Sequence, residues 1–295
     1  MLNGILVIDK PKDISSFKVV SKIKKILCEK KVGHAGTLDP LATGVLLVLV
    51  GKSTKALPFL REEKNYISYF KLGIITDTQD VTGRILEENK PKTTKLDCKK
   101  ALCEFAGKTL QTPPMYSALK KNGKRLYKLA REGLNIFRKP RSIFVYKIKL
   151  LDFNEKSFSG KFFISCSKGT YIRTICHDLG SKLGCGATMM ELRRVYSSGF
   201  SINETISLKI LEKSKKAKEL LLKTDTAFKF YSKAFVTELQ TNRFKCGGGL
   251  KIDRVQHDVK KLENGQILRV YFKKEFLGLG KVNINKNELS VLKNF

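Results

Sequence analysis

Acidic residues are scarce in this chain. It carries 27 Asp and Glu against 58 Lys and Arg, a formal net charge of +31 over 295 residues. A surplus of that size repels itself unless a polyanion meets it, so nucleic acid is the first partner to consider and an anionic membrane surface the second. Long apolar runs are also missing. No stretch approaches the ~18 residues of a spanning helix. The start, MLNGILVIDKPK, has neither a cationic lead nor a small-residue cleavage site. The chain is therefore expected to be soluble and cytoplasmic, with no membrane role. Its seven cysteines (28, 98, 103, 166, 176, 185 and 246) are an odd set without a CxxC spacing, which argues against a disulfide framework and a structural zinc site. Three histidines, at 34, 177 and 257, are too scattered for a local metal site, and none is expected. There is no GxxxxGK[ST] loop and no strand–GxGxxG–helix unit, so neither ATP nor a redox cofactor has a recognisable seat.

What remains is sufficient for a core. Hydrophobic residues make up 42% of the chain, and its length suits one large domain plus a small one. GILVID (4–9) reads as a buried strand. A helix capped by Ser16 follows, with Phe17, Val20, Ile23, Ile26 and Leu27 near helical period and lysines on its other faces. A Gly-punctuated loop, GHAGTLDPLATG (33–44), leads into a central strand, VLLVLV (45–50). Further strands are expected at 66–72, 143–153, 160–167 and 192–202, with a loop at 73–83. Helices are expected at 96–106, from a Thr170 cap through the Gly-rich turn at 184–186, and at 209–223. Strands and helices mix without strict alternation, which points to an α+β fold with a mixed central sheet. From about residue 230, short apolar runs between Gly-rich turns read as a small all-β module. The expected domains are thus 1–229 and 230–295.

The 33–44 loop holds the most pointed chemistry. Asp39 precedes Pro40, which biases it to an extended backbone. One reading makes Asp39 a helix N-cap with Pro40 as the first helical residue. The other makes it a rigidly held carboxylate nucleophile, for which a misplacement of ~1 Å costs about 100-fold. The two are compatible. A carboxylate in a dry pocket needs a cation beside it to stay ionised. Arg173, in the first turn of the helix read from SKGTYIRTICHDLG, is the candidate, against the plainer reading of a solvated charge.

Four blocks in order carry a resemblance: GILVIDKPKDISS, GHAGTLDPLATGVLLVLVG, PPMYSALKKNGKRLYKLAREG, and SKGTYIRTICHDLGSKLGCGA followed by LRR. They closely resemble the TruB-type pseudouridine synthases, over residues 4 to about 202. The resemblance implies a pseudouridine-synthase catalytic domain acting on uridine 55 in the T loop of tRNA, by base flipping. It places Asp39 on the essential aspartate, Arg173 on its arginine partner, and Tyr66 on the tyrosine that stacks on the target base. His34, Tyr171 and Leu192 fall on substrate-contacting positions, and Lys10 in the DKP turn falls beside them. Pattern alone would make Tyr66 and Leu192 packing residues and His34 a turn residue. The basic segment 120–131 falls on the family's T-arm clamp; by pattern it is a solvated charged face. The module at 230–295 resembles, less specifically, a PUA-like RNA-binding domain. One departure is Asp13, where the family usually has Gly; Asp tolerates left-handed backbone, so the turn is expected to survive.

Isomerisation needs no metal, cofactor or protein partner, and a monomer acting on tRNA is expected. Three alternatives compete. A guide-directed synthase usually brings terminal extensions, against which the short N-terminus counts. A non-catalytic RNA-binding relative would lack Asp39. A basic DNA- or membrane-binding protein would explain the charge but not the four blocks.

Overall fold

The computed structural model describes residues 2–295. GILVIDK forms strand β1 (Gly4–Lys10), whose side chains are buried almost throughout. Helix α1 (Ser16–Leu27) follows and lays Val19, Val20, Ile23 and Leu27 on the sheet. Its cap is Ser15, not Ser16: the Ser15 Oγ accepts from Lys18 N–H at 3.2 Å. Two adjacent serines look alike to a pattern; Ser16 instead turns inward.

Strand β2 (Val32–Ala35) pairs antiparallel with β3 (Thr43–Val50), so the expected 33–44 loop begins as a strand. β3 pairs antiparallel with β1 and runs parallel to the strand Ala187–Ser197. That strand pairs in turn with β4 (Lys64–Leu72). Beyond β4 lie Ser159–Cys166, Arg141–Asn154 and Gly107–Gln111, completing a mixed sheet of ten strands. An apolar run sandwiched on both sides, as in VLLVLV, is what a central strand covered on both faces requires. One face meets α1, and the other meets Phe228 and side chains from the C-terminal sheet. Gly44, at φ +102°, marks a tight crossing: a Cβ there would stand 2.2 Å from the Arg194 carbonyl oxygen.

Several boundaries differ from expectation. The 73–83 region contains a short strand, Ile74–Thr76, paired with Ile85–Glu88. The helix from the 170 region is Ile172–Lys182 with Tyr171 at its cap; Thr170 Oγ1 donates to the Ser167 carbonyl instead. The strand expected at 192–202 starts at Ala187 and ends at Ser197, where Ser198 (φ 56°) and Gly199 turn the chain. The helix expected at 209–223 stops at Lys213. After it come a 3-10 turn, Ala217–Leu220, and a single bridge to β1, where Ile5 and Leu222 exchange both backbone hydrogen bonds at 2.9 Å. Long-range pairing outweighed local propensity there.

The C-terminal residues form a second, six-stranded sheet, and they also include a helix, Glu238–Lys245, so that part is β-rich rather than all-β. A capping box between Thr237 and Gln240 starts that helix, and only Thr241 and Phe244 are buried on it. Its apolar signal is therefore faint in the sequence. The two sheets meet through Phe228, Phe276 and Phe295, with ring centroids 5.5–6.1 Å apart. Among the described residues no helix is long and apolar enough to cross a membrane.

Candidate active site

Asp39 lies in the loop between β2 and β3, and it caps no helix. Its carbonyl accepts from Ala42 N–H at 3.1 Å, closing a tight turn, and no helix follows Pro40. Proline's fixed φ serves the second position of a turn as well as the first of a helix, which is why local pattern favoured the wrong one.

The turn is fastened on both sides of Asp39. Ser16 Oγ donates to the Leu38 carbonyl at 2.9 Å and accepts from Leu38 N–H at 2.8 Å. Lys10 is wholly buried and donates from Nζ to the carbonyls of Pro11, Ile14 and Pro40 at 2.7–3.2 Å. Asp13 N–H also donates to the Pro40 carbonyl, at 2.8 Å. Asp13 holds φ 63°, the left-handed turn anticipated at this departure from the family pattern. Burial pushes the Lys10 ammonium down to about 8, against the opposing pull of Asp39. With three donors spent on backbone, Lys10 holds the loop from beneath rather than facing a ligand.

Arg173 is only 5% exposed, so the solvated-charge reading fails. Its Nε forms an ion pair with Asp39 Oδ2 at 2.9 Å. Its Nη1 donates to the Thr78 carbonyl at 2.9 Å and lies 3.6 Å from Asp80 Oδ2. Its Nη2 donates to the Tyr116 carbonyl at 2.9 Å. Every edge of the guanidinium is engaged, which only a planar fork can do. Asp80 is buried too, and its Oδ1 accepts from Thr78 Oγ1, Thr82 N–H and Thr82 Oγ1. The Asp39 side chain keeps 36% of its exposure, so a fixed carboxylate opens onto the cleft.

That cleft, of about 260 Å³, is bordered by Asp39, Arg173, Tyr66, Tyr171, Leu192 and Lys64. Tyr66 comes from β4 and is 6% exposed; burial raises its phenol above the usual range, so it is protonated at neutral pH. Leu192 sits opposite Ser68 on the neighbouring strand. Tyr171 is set by Gln111, whose side-chain amide takes both its backbone N–H, at 2.8 Å, and its carbonyl, at 3.0 Å. His34 lies on β2 opposite Val48 and does not line the cleft. Its buried Nδ1 lacks a partner, and burial, then the charge of Arg194, lowers its pKa.

The structure thus gathers Asp39, Arg173, Tyr66, Tyr171 and Leu192 around one cleft, places Lys10 beneath it and leaves His34 to one side. Ser16, Gln111, Asp80, Lys64 and Arg194 escaped the sequence reading. Most of them act on backbone or from a distant segment, which no spacing rule records. Arg194 alone had a signal, as a charge alternating into an apolar strand. The basic segment 120–131 is a hairpin, Lys120–Lys121 with Lys124–Arg125, followed by the short helix Leu126–Arg131, and its lysines are mostly exposed.

Comparison with known proteins agrees in sequence and fold. The profile described as "TruB family pseudouridylate synthase (N terminal domain)" matches residues 24–172. The profile described as "tRNA pseudouridylate synthase B C-terminal domain" matches 173–229. A protein named tRNA pseudouridine synthase B from Clostridium tetani is 42% identical, covering 95% of each chain. The one from Clostridium acetobutylicum is 42% identical over 99% of each. Among solved structures, a chain of a Cbf5–Nop10–Gar1 complex matches with TM-score 0.73 and 25% identity, covering 99% of this chain and 84% of that one. A chain of an H/ACA RNP bound to a substrate RNA containing 2′-deoxyuridine shares the fold, with TM-score 0.74 and 24% identity over 99% and 84%. A clamped carboxylate in the turn before β3, in a chain 42% identical to these relatives over nearly its whole length, leads to one conclusion: this chain belongs to the TruB family of pseudouridylate synthases.

Proposed function

We propose that this chain converts uridine 55 in the T loop of tRNA to pseudouridine, acting alone, with Asp39 as nucleophile. One observation carries the reading: a part-exposed carboxylate fixed on a buried, fully engaged arginine at the floor of a cleft sized for a base. The names of the relatives support tRNA as substrate. The reaction breaks the bond from the sugar to N1, turns the base and forms a bond from the sugar to C5; C5 gives up its hydrogen as a proton, N1 takes one up, and the bond that Asp39 forms as nucleophile breaks again before the product leaves. Atoms and charge balance without oxidant, ATP or metal.

The residues divide the work. Asp39 attacks, and Arg173 holds it in the attacking position. Tyr66 and Leu192 sandwich the extruded base, and Tyr171 borders it. Lys10 steadies the turn. His34, at the rim of β2, meets the RNA beside the extruded base. The exposed lysines of 120–131 grip the T-arm phosphates, which position the RNA without reading its sequence. Residues 1–229 act as the catalytic domain and 230–295 as a PUA-like RNA-binding domain. The enzyme works as a cytoplasmic monomer without cofactor.

The test is hydrogen release from C5-labelled tRNA transcript with purified protein alone, followed by mapping of the product. Asp39→Asn should make no pseudouridine while binding tRNA within a few-fold of wild type. Normal turnover by that variant, or modification away from position 55, would overturn the proposal.

A further inference from the structure

Lys64 opens β4 two residues before Tyr66, so both side chains leave the strand on one face. It lines the cleft, and its Nζ lies 2.9 Å from where a Cβ on Gly36 would stand, at the foot of the Asp39 loop. Among the described residues no ion pair or hydrogen bond holds its ammonium. The nearby carboxylates are occupied: Glu62 pairs with Lys168, Glu63 accepts from Ser165 Oγ, and Asp39 pairs with Arg173. Behind Lys64 sits Arg194, wholly buried. It gives Nε to the Val45 carbonyl at 2.7 Å and Nη2 to the Gly36 carbonyl at 3.1 Å. Its Nη1 has no partner and lies 3.6 Å from that same point beside Gly36.

Two cations therefore come together beside Gly36, and the one carboxylate bordering the cleft, Asp39, is already paired with Arg173. Such an arrangement is costly in the free protein, since burial and like charge both oppose the ammonium. Burial, then Arg194, pushes Lys64 down to about 8. The cost is offset when an anion arrives with the substrate. A nucleotide extruded into this cleft brings one: the phosphodiester on its 5′ or 3′ side.

We propose that Lys64, backed by Arg194, holds a phosphodiester flanking the extruded nucleotide at the mouth of the cleft. The proposal rests on reading this cleft as the seat of a flipped nucleotide. Lys64 then sets the depth and orientation at which the sugar meets Asp39. The competing role for an amine here is proton acceptor at C5, and the test separates the two.

The test is a cycle on a T-arm stem–loop RNA carrying a methylphosphonate at one or the other phosphate flanking the target uridine. Wild type should lose about 10- to 100-fold in single-turnover efficiency on one of these RNAs, the range for a charged hydrogen bond. Lys64→Met should lose a similar factor on the all-phosphate RNA and little more on that methylphosphonate. Lys64→Arg, which keeps the charge, should recover most of the activity. Losses that multiply on both RNAs would overturn the phosphate contact. So would a Lys64→Arg variant as inactive as Lys64→Met, the mark of proton transfer. The same cycle read as Kd needs no turnover, so it judges the contact even if wild type forms no pseudouridine, an outcome that would instead sink the enzymatic reading.

Discussion

Arg173→Met removes a buried guanidinium that serves two carboxylates and two carbonyls at once. The two carboxylates should respond differently. The Asp80 side chain is 7% exposed and would be left charged with its cation gone. Breaking a buried pair from one side costs about 3–5 kcal/mol. In a domain of this size each kcal/mol moves the thermal midpoint by about 2–4 °C, so the variant should unfold roughly 6–20 °C below wild type. Asp80→Asn keeps the shape and removes the stranded charge. Added to Arg173→Met, it should restore about 1–3 kcal/mol relative to the sum of the single effects. Asp39→Asn in the same background should restore no more than about 1 kcal/mol, because water reaches the 36%-exposed Asp39 side chain. Scanning calorimetry on the three single variants, the two doubles and wild type measures both couplings. Additive Arg173 and Asp80 effects, or equal rescue by the two asparagines, would refute the reasoning from burial.

Two other outcomes follow from the same geometry. Ser16→Ala deletes both side-chain hydrogen bonds to the Leu38 backbone, so single-turnover rate should fall about 10-fold or more while tRNA affinity holds; an unchanged rate would show that Ser16 does not fix the turn. His34 titrates below its ordinary 6.5 in the fold, so as pH falls through 6.5 the unfolded chain takes up a proton that folded His34 refuses, and stability drops. His34→Asn should lose less thermal stability than wild type between pH 7 and 5, and equal losses would count against a half-buried His34 held neutral by the fold.

The family blocks were legible because their residues are local and ordered along the chain. Asp39 before Pro40, glycines on either side and an apolar strand after them mark a rigid carboxylate in any context. The shortage of acids pointed to a polyanionic partner in the same way. Asp39 as helix cap, Ser16 as cap and the long 209–223 helix were misread for a single reason: each is locally plausible and was decided by a distant segment. Ser16 answers to Leu38, and Leu222 answers to Ile5.

By itself, then, the sequence determined the class of partner, the α+β mixture, the sheet-forming runs and the candidate nucleophile. These depend on composition, periodicity and short-range stereochemistry. Only the tertiary structure decided how that carboxylate is held. Arg173 reaches Asp39 across 134 positions of chain, and its other edges are filled by carbonyls from two further loops. It also brought Lys64 and Arg194 together beside Gly36 with, among the described residues, no carboxylate paired to either. Hydrogen bonds to backbone carbonyls carry no residue signature, and long-range charge pairs carry no spacing, so neither leaves a mark in the order of the amino acids.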